Sequence, residues 1–294
     1  MTSVETLSTH PRPARLPVRL GPFLPLAPPS LVLIFVFAVP MGMMIGLSFR
    51  GSGGELLTLD NYQRFFNDDL MLAGLWRTAL MSGLVAICVT VMAYPVAYYL
   101  ARSTSRWRTV VFALAIAPEL AGVVLRTYGW LVILEDHGAI NSVLLWSGLI
   151  LEPLPLSKNL LGVVIGLTHV VLPFGILSLL TSIQGIDPNL ERAAQILGAS
   201  RLSIIRRIIL PLSVPGIVSS LLIAFTMSAS AYATPALLGG AGFKVLATMV
   251  YEQVLFYIDW PMAAVMAVLL LVMMLGMALV GTRAEARLQR KLHI

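Results

Sequence analysis

Glu119 and Arg126 stand in one apolar run, Thr109–Leu134, and are its only charged residues. An ionisable side chain in such a run costs roughly 2.5–3.5 kcal/mol to place in a bilayer and is functional by default. On a continuous helix a spacing of seven puts both residues on one face, about 10 Å apart along the axis. Two long side chains partly bridge that gap. Three roles are open: a structural ion pair, an Arg126 that snorkels toward the outer surface, and a Glu119 that meets some other cationic group. Ring faces of Tyr128, Trp130, Tyr232 and Tyr251 can hold a cation by cation–π attraction. Aromatic rings near span ends also serve as interfacial anchors. His169, beside Thr168 in another apolar run, is expected to make an interhelical hydrogen bond.

Other chemistries are excluded by what the chain lacks. There is no G-x-x-x-x-G-K-S/T phosphate loop, and none of the three lysines, Lys158, Lys244 and Lys291, follows a glycine. This chain therefore cannot be an ATP hydrolase of that kind. No nucleophile elbow, H-E-x-x-H or paired His/Asp arrangement occurs, and no zinc or haem spacing, so an enzyme and a metal site are not expected. Cys88 is the single cysteine, which rules out an internal disulfide; in its apolar run it reads as a packing residue.

The elements that position these residues are membrane spans. The chain is 58% hydrophobic and 12% charged, with a mean hydropathy of +0.88, against roughly 25% charged for an ordinary soluble domain. Six apolar runs are long enough to cross a bilayer: Pro28–Phe49, Thr78–Ala101, Thr109–Leu134, Asn159–Ile183, Leu212–Ala233 and Trp260–Thr282. The expectation is an all-α membrane protein of six transmembrane helices. Pro40, Pro95, Pro118 and Pro173 fall inside runs, which membrane helices tolerate. The first run is too long for a signal h-region and is read as a retained helix. A Pro-rich leader, residues 1–22, precedes a membrane domain over 23–282, and a basic tail follows over 283–294.

Lysine and arginine set the orientation. With the N-terminus inside, the inner segments hold Arg12, Arg15 and Arg19; Arg102, Arg106 and Arg108; Arg192, Arg201, Arg206 and Arg207; and Arg283, Arg287, Arg290 and Lys291. These are 14 of the 20 basic residues. The outer loops hold Arg50, Arg64, Lys158 and Lys244, and most of the acids. Both termini are expected in the cytoplasm. The net charge of +6 is then a topology signal, and no nucleic-acid partner is implied. No inverted repeat of the secondary-transporter kind is visible.

Residues 187–216 form a polar, basic interruption between two apolar runs, within which a cytoplasmic loop is expected over 187–210. Asp187-Pro188 reads as a helix start, with an N-cap acceptor and a proline suited to the first turn. Glu191 falls in that first turn, where the helix dipole favours an acid. Ala193, Ala194 and Leu197 follow at helical spacing, and Gly198 ends the helix. A second amphipathic stretch, Arg201–Leu210, carries Arg206 and Arg207 into Pro211. Small residues let another protein approach closely; a helix lying on the lipid surface is the competing reading.

The run Glu191-Arg192-Ala193-Ala194-x-x-Leu197-Gly198-Ala199-Ser200, with Ile209-Leu210-Pro211-Leu212 and Pro215-Gly216-Ile217 after it, resembles the EAA loop of ABC importer permeases. The resemblance covers essentially the whole chain. It includes Leu57–Tyr62 (LTLDNY), Leu125–Trp130 (LRTYGW), Gly138–Asn141 (GAIN), Leu238-Gly239-Gly240 and Asp259-Trp260-Pro261. The combination is most similar to the first permease subunit of spermidine/putrescine-type importers. It implies a type I importer permease fold in a bacterial inner membrane. It also implies that Glu191, Arg192, Ala193, Ala194, Leu197, Gly198 and Ala199 couple to an ATPase. The implied partners are a second permease subunit, two copies of a cytoplasmic ATPase that binds ATP and Mg, and an extracytoplasmic substrate-binding protein. Arg126 becomes a framework position, and no cofactor is expected in this chain. The implied solute is a polyamine or similar small amine. Relatives of this pattern also carry other small solutes, such as amino-acid derivatives, opines or aminophosphonates. An ion-coupled secondary transporter and a membrane scaffold are the readings from other classes. One departure stands out: the family places its acid six residues before the glycine, where this chain has Arg192, with Glu191 one position earlier.

Overall fold

The computed structural model describes residues 27–51 and 57–292. The leader over 1–22 lies outside the described residues. Among those described, every regular element is a helix. The chain divides into two units, Met1–Met43 and Met44–Ile294, and each is taken by itself. The first contributes most of α1 (Ala27–Ser48), a 22-residue apolar helix containing Pro40.

The second unit begins its helices with α2 (Asp60–Asn67) and α3 (Asp69–Arg102). Asp68 separates them and caps α3: its Oδ1 accepts from the backbone N–H of Leu70 at 2.8 Å and of Met71 at 3.1 Å. At 34 residues, α3 exceeds the roughly 20 that a bilayer requires. It is followed by α4 (Trp107–Ile116), a 3₁₀ turn (Ala117–Leu120), α5 (Val123–Leu134) and α6 (Ala139–Trp146). Next is α7 (Leu160–Gln184), capped by the Asn159 side chain accepting from Gly162 N at 3.0 Å. The short α8 (Pro188–Ile196) and α9 (Arg201–Ile204) lead through a π turn (Ile205–Ile209) to α10 (Leu210–Leu212) and α11 (Val214–Ala229). The chain closes with α12 (Ala233–Leu238), α13 (Leu246–Leu255) and α14 (Trp260–Leu292).

Among the described residues, four helices are long and apolar enough to cross a membrane: α1, α3, α7 and α14. The number rises to six if each of two bent helix pairs counts as one span. One bent pair corrects the expectation of a continuous helix over Thr109–Leu134. The helix stops at the 3₁₀ turn holding Pro118, Ala121 and Gly122 are extended, and α5 restarts at Val123. The two halves, Trp107–Leu120 and Val123–Trp146, are bent by 101°. Pro118 supplies no N–H and its ring crowds the preceding turn; Gly122 loses the most freedom in a helix. The second pair, Arg201–Leu212 and Val214–Ala229, bends by 67° at Ser213. The run expected over Leu212–Ala233 is thus divided between α10, α11 and α12. At the other end, α14 continues through Arg283, Arg287 and Arg290 to Leu292.

The main core lies where α3, α7 and α11 cross. Met81, Val85 and Val89 of α3 pack with Val163, Leu167 and Val171 of α7 and with Ala224 and Phe225 of α11. Between apolar helices in lipid, close approach through small residues replaces the hydrophobic drive. Gly175 of α7 marks one such close crossing: a Cβ there would sit 2.5 Å from Val89 Cγ1 and 3.1 Å from Ser220 Oγ. A second core joins Ala93, Ala97 and Leu100 of α3 to Leu179 and Ile183 of α7 and to Ile204 and Ile209. This second core carries the segment that follows α7.

Candidate functional site: the 187–213 segment and the charges of the third apolar run

Each turn of the 187–213 segment has a local cause. Asp187 Oδ1 accepts from Asn189 N at 2.9 Å, and Pro188 opens α8. Gly198 sits at φ +83°, a left-handed conformation in which side chains are strained. Ser200 then caps α9, its Oγ accepting from Ser203 N at 3.3 Å. These breaks hold Ile196 and Leu197 at the tip, 86% and 87% exposed, with Leu202 beside them at 74%. Arg192, Ala193 and Gly198 are also exposed, whereas Ala194 and Ala199 are half-buried against the second core. The exposed surface is therefore apolar at its tip and basic around it, with Arg201, Arg206 and Arg207 exposed as well.

Glu191 faces the other way. It is buried; its Oε1 accepts from Arg102 Nε at 2.6 Å and its Oε2 from the Tyr98 hydroxyl at 3.2 Å. Arg102 Nη2 also donates to the Ile186 carbonyl at 3.0 Å. The acid one place before Arg192 thus holds α8 onto the end of α3, and Arg192 takes the outward position. Arg102 counts in the sequence only as a topology charge, and Tyr98 is not singled out there at all. The available signal is their four-residue spacing at the end of an apolar run.

The charges of the third run meet across the break. Arg126 Nη1 donates to Glu119 Oε1 at 2.8 Å, with the two side chains 6% and 28% exposed. They are not neighbours on one helix face, as a continuous span requires. The 3₁₀ turn and the extended Ala121–Gly122 link bring Glu119 back to α5. The next residue on α5, Thr127, meets a different element: its Oγ1 lies 3.1 Å from Thr234 Oγ1 of α12. Trp130 packs edge-on to His169 with ring centroids 5.6 Å apart. The hydrogen bond expected of His169 and Thr168 is not formed: His169 Nδ1, Thr168 Oγ1 and Arg126 Nε are buried with no partner among the described residues. Val170, next to His169, is a buried member of the main core, and Trp130, half-buried, packs against that core.

The candidate aromatics fall into separate places. Tyr128 is 54% exposed on α5. Tyr232, at the break between α11 and α12, stacks on Tyr251 of α13 at 4.5 Å, and Tyr251 lies 6.4 Å from Phe256. A largely apolar cleft of about 550 Å³ includes Tyr232, Tyr251 and Leu255 in its lining, but not Glu119, Arg126, Tyr128 or Trp130. No group of His, Cys, Asp and Glu able to hold a metal ion occurs among the described residues.

The family model described as the binding-protein-dependent transport system inner membrane component matches residues 93–292. Spermidine/putrescine transport system permease protein PotB of Escherichia coli (strain K12) is 33% identical over 268 residues, covering 90% of this chain and 97% of that protein. PotB of Haemophilus influenzae is 29% identical over 267 residues, 89% of this chain and 93% of that one. A chain of the bacterial alginate ABC transporter, in complex with alginate pentasaccharide-bound periplasmic protein, superposes with a TM-score of 0.77. It covers 92% of this chain and 95% of that one at 20% identity, a likeness of fold alone. The chain belongs to the binding-protein-dependent transport system inner membrane component family, and is a non-catalytic permease subunit of an ABC transporter.

Proposed function

We propose that this permease forms half of the translocation pathway of an ATP-driven importer for a polyamine such as spermidine or putrescine, or a similar small amine. The observation that carries the solute class is the 33% identity to PotB over 97% of that protein. The other half of the pathway is a second permease subunit. Two copies of a cytoplasmic ATPase bind ATP and Mg and dock on the permeases, and an extracytoplasmic binding protein delivers the solute. Both termini lie in the cytoplasm, following the arginine distribution.

The 187–213 segment is the ATPase contact. Ile196, Leu197 and Gly198 form its tip, Arg192 and Ala193 flank it, and Ala194 and Ala199 seat it on the second core. Closure of the ATPase pair on ATP makes contacts with this tip that differ between inward-open and outward-open states, and that difference shifts the population. Within the membrane, Glu119 offers a partly exposed carboxylate whose partner, Arg126, is buried. It is the pathway acid for a cationic amine, with Tyr128, Trp130 and Tyr232 as ring-bearing candidates along the route.

The test is ATP hydrolysis by the complex purified through this chain and placed in lipid, with spermidine, putrescine or neither, alongside the native extracytoplasmic binding fraction. Hydrolysis stimulated by polyamine is expected. Hydrolysis without stimulation overturns the solute class and keeps the importer; an intact permease with no ATPase attached overturns the importer.

A further inference from the structure

Four polar residues of α3, Thr90, Tyr94, Tyr98 and Arg102, stand at four-residue steps. Such a step advances about 6 Å along a helix and drifts about 40° around it, so the four form one slowly winding stripe. Each has a partner outside α3. Thr90 Oγ1 lies 3.0 Å from Ser220 Oγ of α11. The Tyr94 hydroxyl lies 3.0 Å from Oγ of Ser213, the residue at the bend between α10 and α11. Tyr98 and Arg102 share the two carboxylate oxygens of Glu191 in α8, and Arg102 reaches on to the Ile186 carbonyl just past α7. The stripe therefore grips both ends and the bend of the chain between Ile186 and Ser220. Beside it, Ala93, Ala97 and Leu100 are buried against Ile183, Ile204 and Ile209, so the lower rungs border packed apolar surface.

We infer that this ladder is the positioning element that makes α3 move with α8 as one body when the ATPase closes. The inference rests on the importer reading above. Apolar surfaces alone would hold these helices together and still let them slide. Directional hydrogen bonds, with a buried ion pair at the end of the row, fix their register. The lowest rung matters most, because Glu191 is the point where the ATPase-facing helix is joined to the membrane span. Tyr98, Arg102 and Glu191 are positioning residues, acting through the contact between α3 and α8.

The test uses the complete complex in liposomes, in a Cys88→Ser background, with spin labels at Tyr99→Cys on α3 and Gln195→Cys on α8. With the ladder intact, the distance between the labels is expected to be the same with and without ATP. In Glu191→Gln it is expected to change on ATP binding. The number of ATP molecules hydrolysed per labelled spermidine carried is expected to rise about tenfold in Glu191→Gln, the weight of one charge-assisted hydrogen bond. Tyr98→Phe, which removes a single hydroxyl, is expected to raise it about threefold. Arg102→Lys should recover part of what Arg102→Met loses. A label distance that changes with the ladder intact, or stays fixed in both Glu191→Gln and Tyr98→Phe, overturns the inference. So does a fall of hydrolysis and uptake in equal proportion. If Glu191→Gln does not assemble, the label distance in Tyr98→Phe decides. An intact complex that hydrolyses no ATP at all overturns the importer reading, and the ladder's role with it.

Discussion

Glu191 on α8 and Arg102 at the end of α3, 89 positions apart in the chain, meet at 2.6 Å with both side chains largely buried. The next residue, Arg192, is exposed. One step along a helix turns a side chain by about 100°, and here that step divides two tasks. Glu191 fastens the short helix to the membrane span, while Arg192 belongs to the surface that a partner would meet.

Gly198→Asp is expected to abolish most uptake while the protein still reaches the membrane at normal levels. A Cβ at Gly198 meets no atom within 4 Å, so the backbone conformation is the only internal objection. A left-handed residue other than glycine costs about 1–2 kcal/mol, and Asp is among the types that tolerate it. The new carboxylate lies at the exposed tip, where it disturbs docking. Uptake assays paired with immunoblots of the membrane fraction check this; normal uptake at normal expression contradicts it.

The tip itself gives a second prediction. Leu197→Asp changes a side chain that is 87% exposed, so stability should move by no more than about 0.5 kcal/mol. The amount of ATPase recovered with the purified permease should fall sharply. Unaltered recovery would remove Leu197 from the contact.

The Glu119–Arg126 pair should respond asymmetrically. Glu119→Leu strands a guanidinium whose side chain is 6% exposed, and an unpaired buried charge costs about 3–5 kcal/mol. Arg126→Leu leaves a carboxylate that is 28% exposed and so less confined than the guanidinium. The first variant should melt lower than the second in detergent, and the double variant should recover much of the loss. Equal melting of both single variants would mean that the pair carries no buried charge.

Glu119→Gln keeps a hydrogen-bond acceptor for Arg126 and removes the charge. The KM for spermidine, compared at matched amounts of protein in the membrane, should rise by about tenfold, the weight of one lost charge–charge contact. Identical uptake kinetics would take Glu119 out of the pathway.

Much of this architecture is legible in the sequence because hydropathy and charge act over long runs. The spans of α3, α7 and α14 follow from uninterrupted apolar residues, and Gly198 and Asp187-Pro188 mark the ends of α8 by local backbone chemistry. The break at Ala117–Gly122 is less legible. A proline inside a membrane helix can be a kink or a stop, and tertiary packing decides which. That break also determines how Glu119 reaches Arg126, so a spacing argument on a continuous helix gives the right pair by the wrong route. The Glu191–Arg102 contact lies beyond pattern reading, since it joins residues distant in sequence. The ladder on α3 is visible as a four-residue spacing, but its partners emerge only when α11 and α8 are folded against it.

The most direct test of the importer account is uptake of labelled spermidine into liposomes carrying the complete complex. The binding protein is placed outside, and ATP with Mg is trapped inside or left out. The account predicts uptake only when both are present, and none on an ion gradient alone. Spermidine accumulation that continues without ATP and collapses with the ion gradient would contradict it.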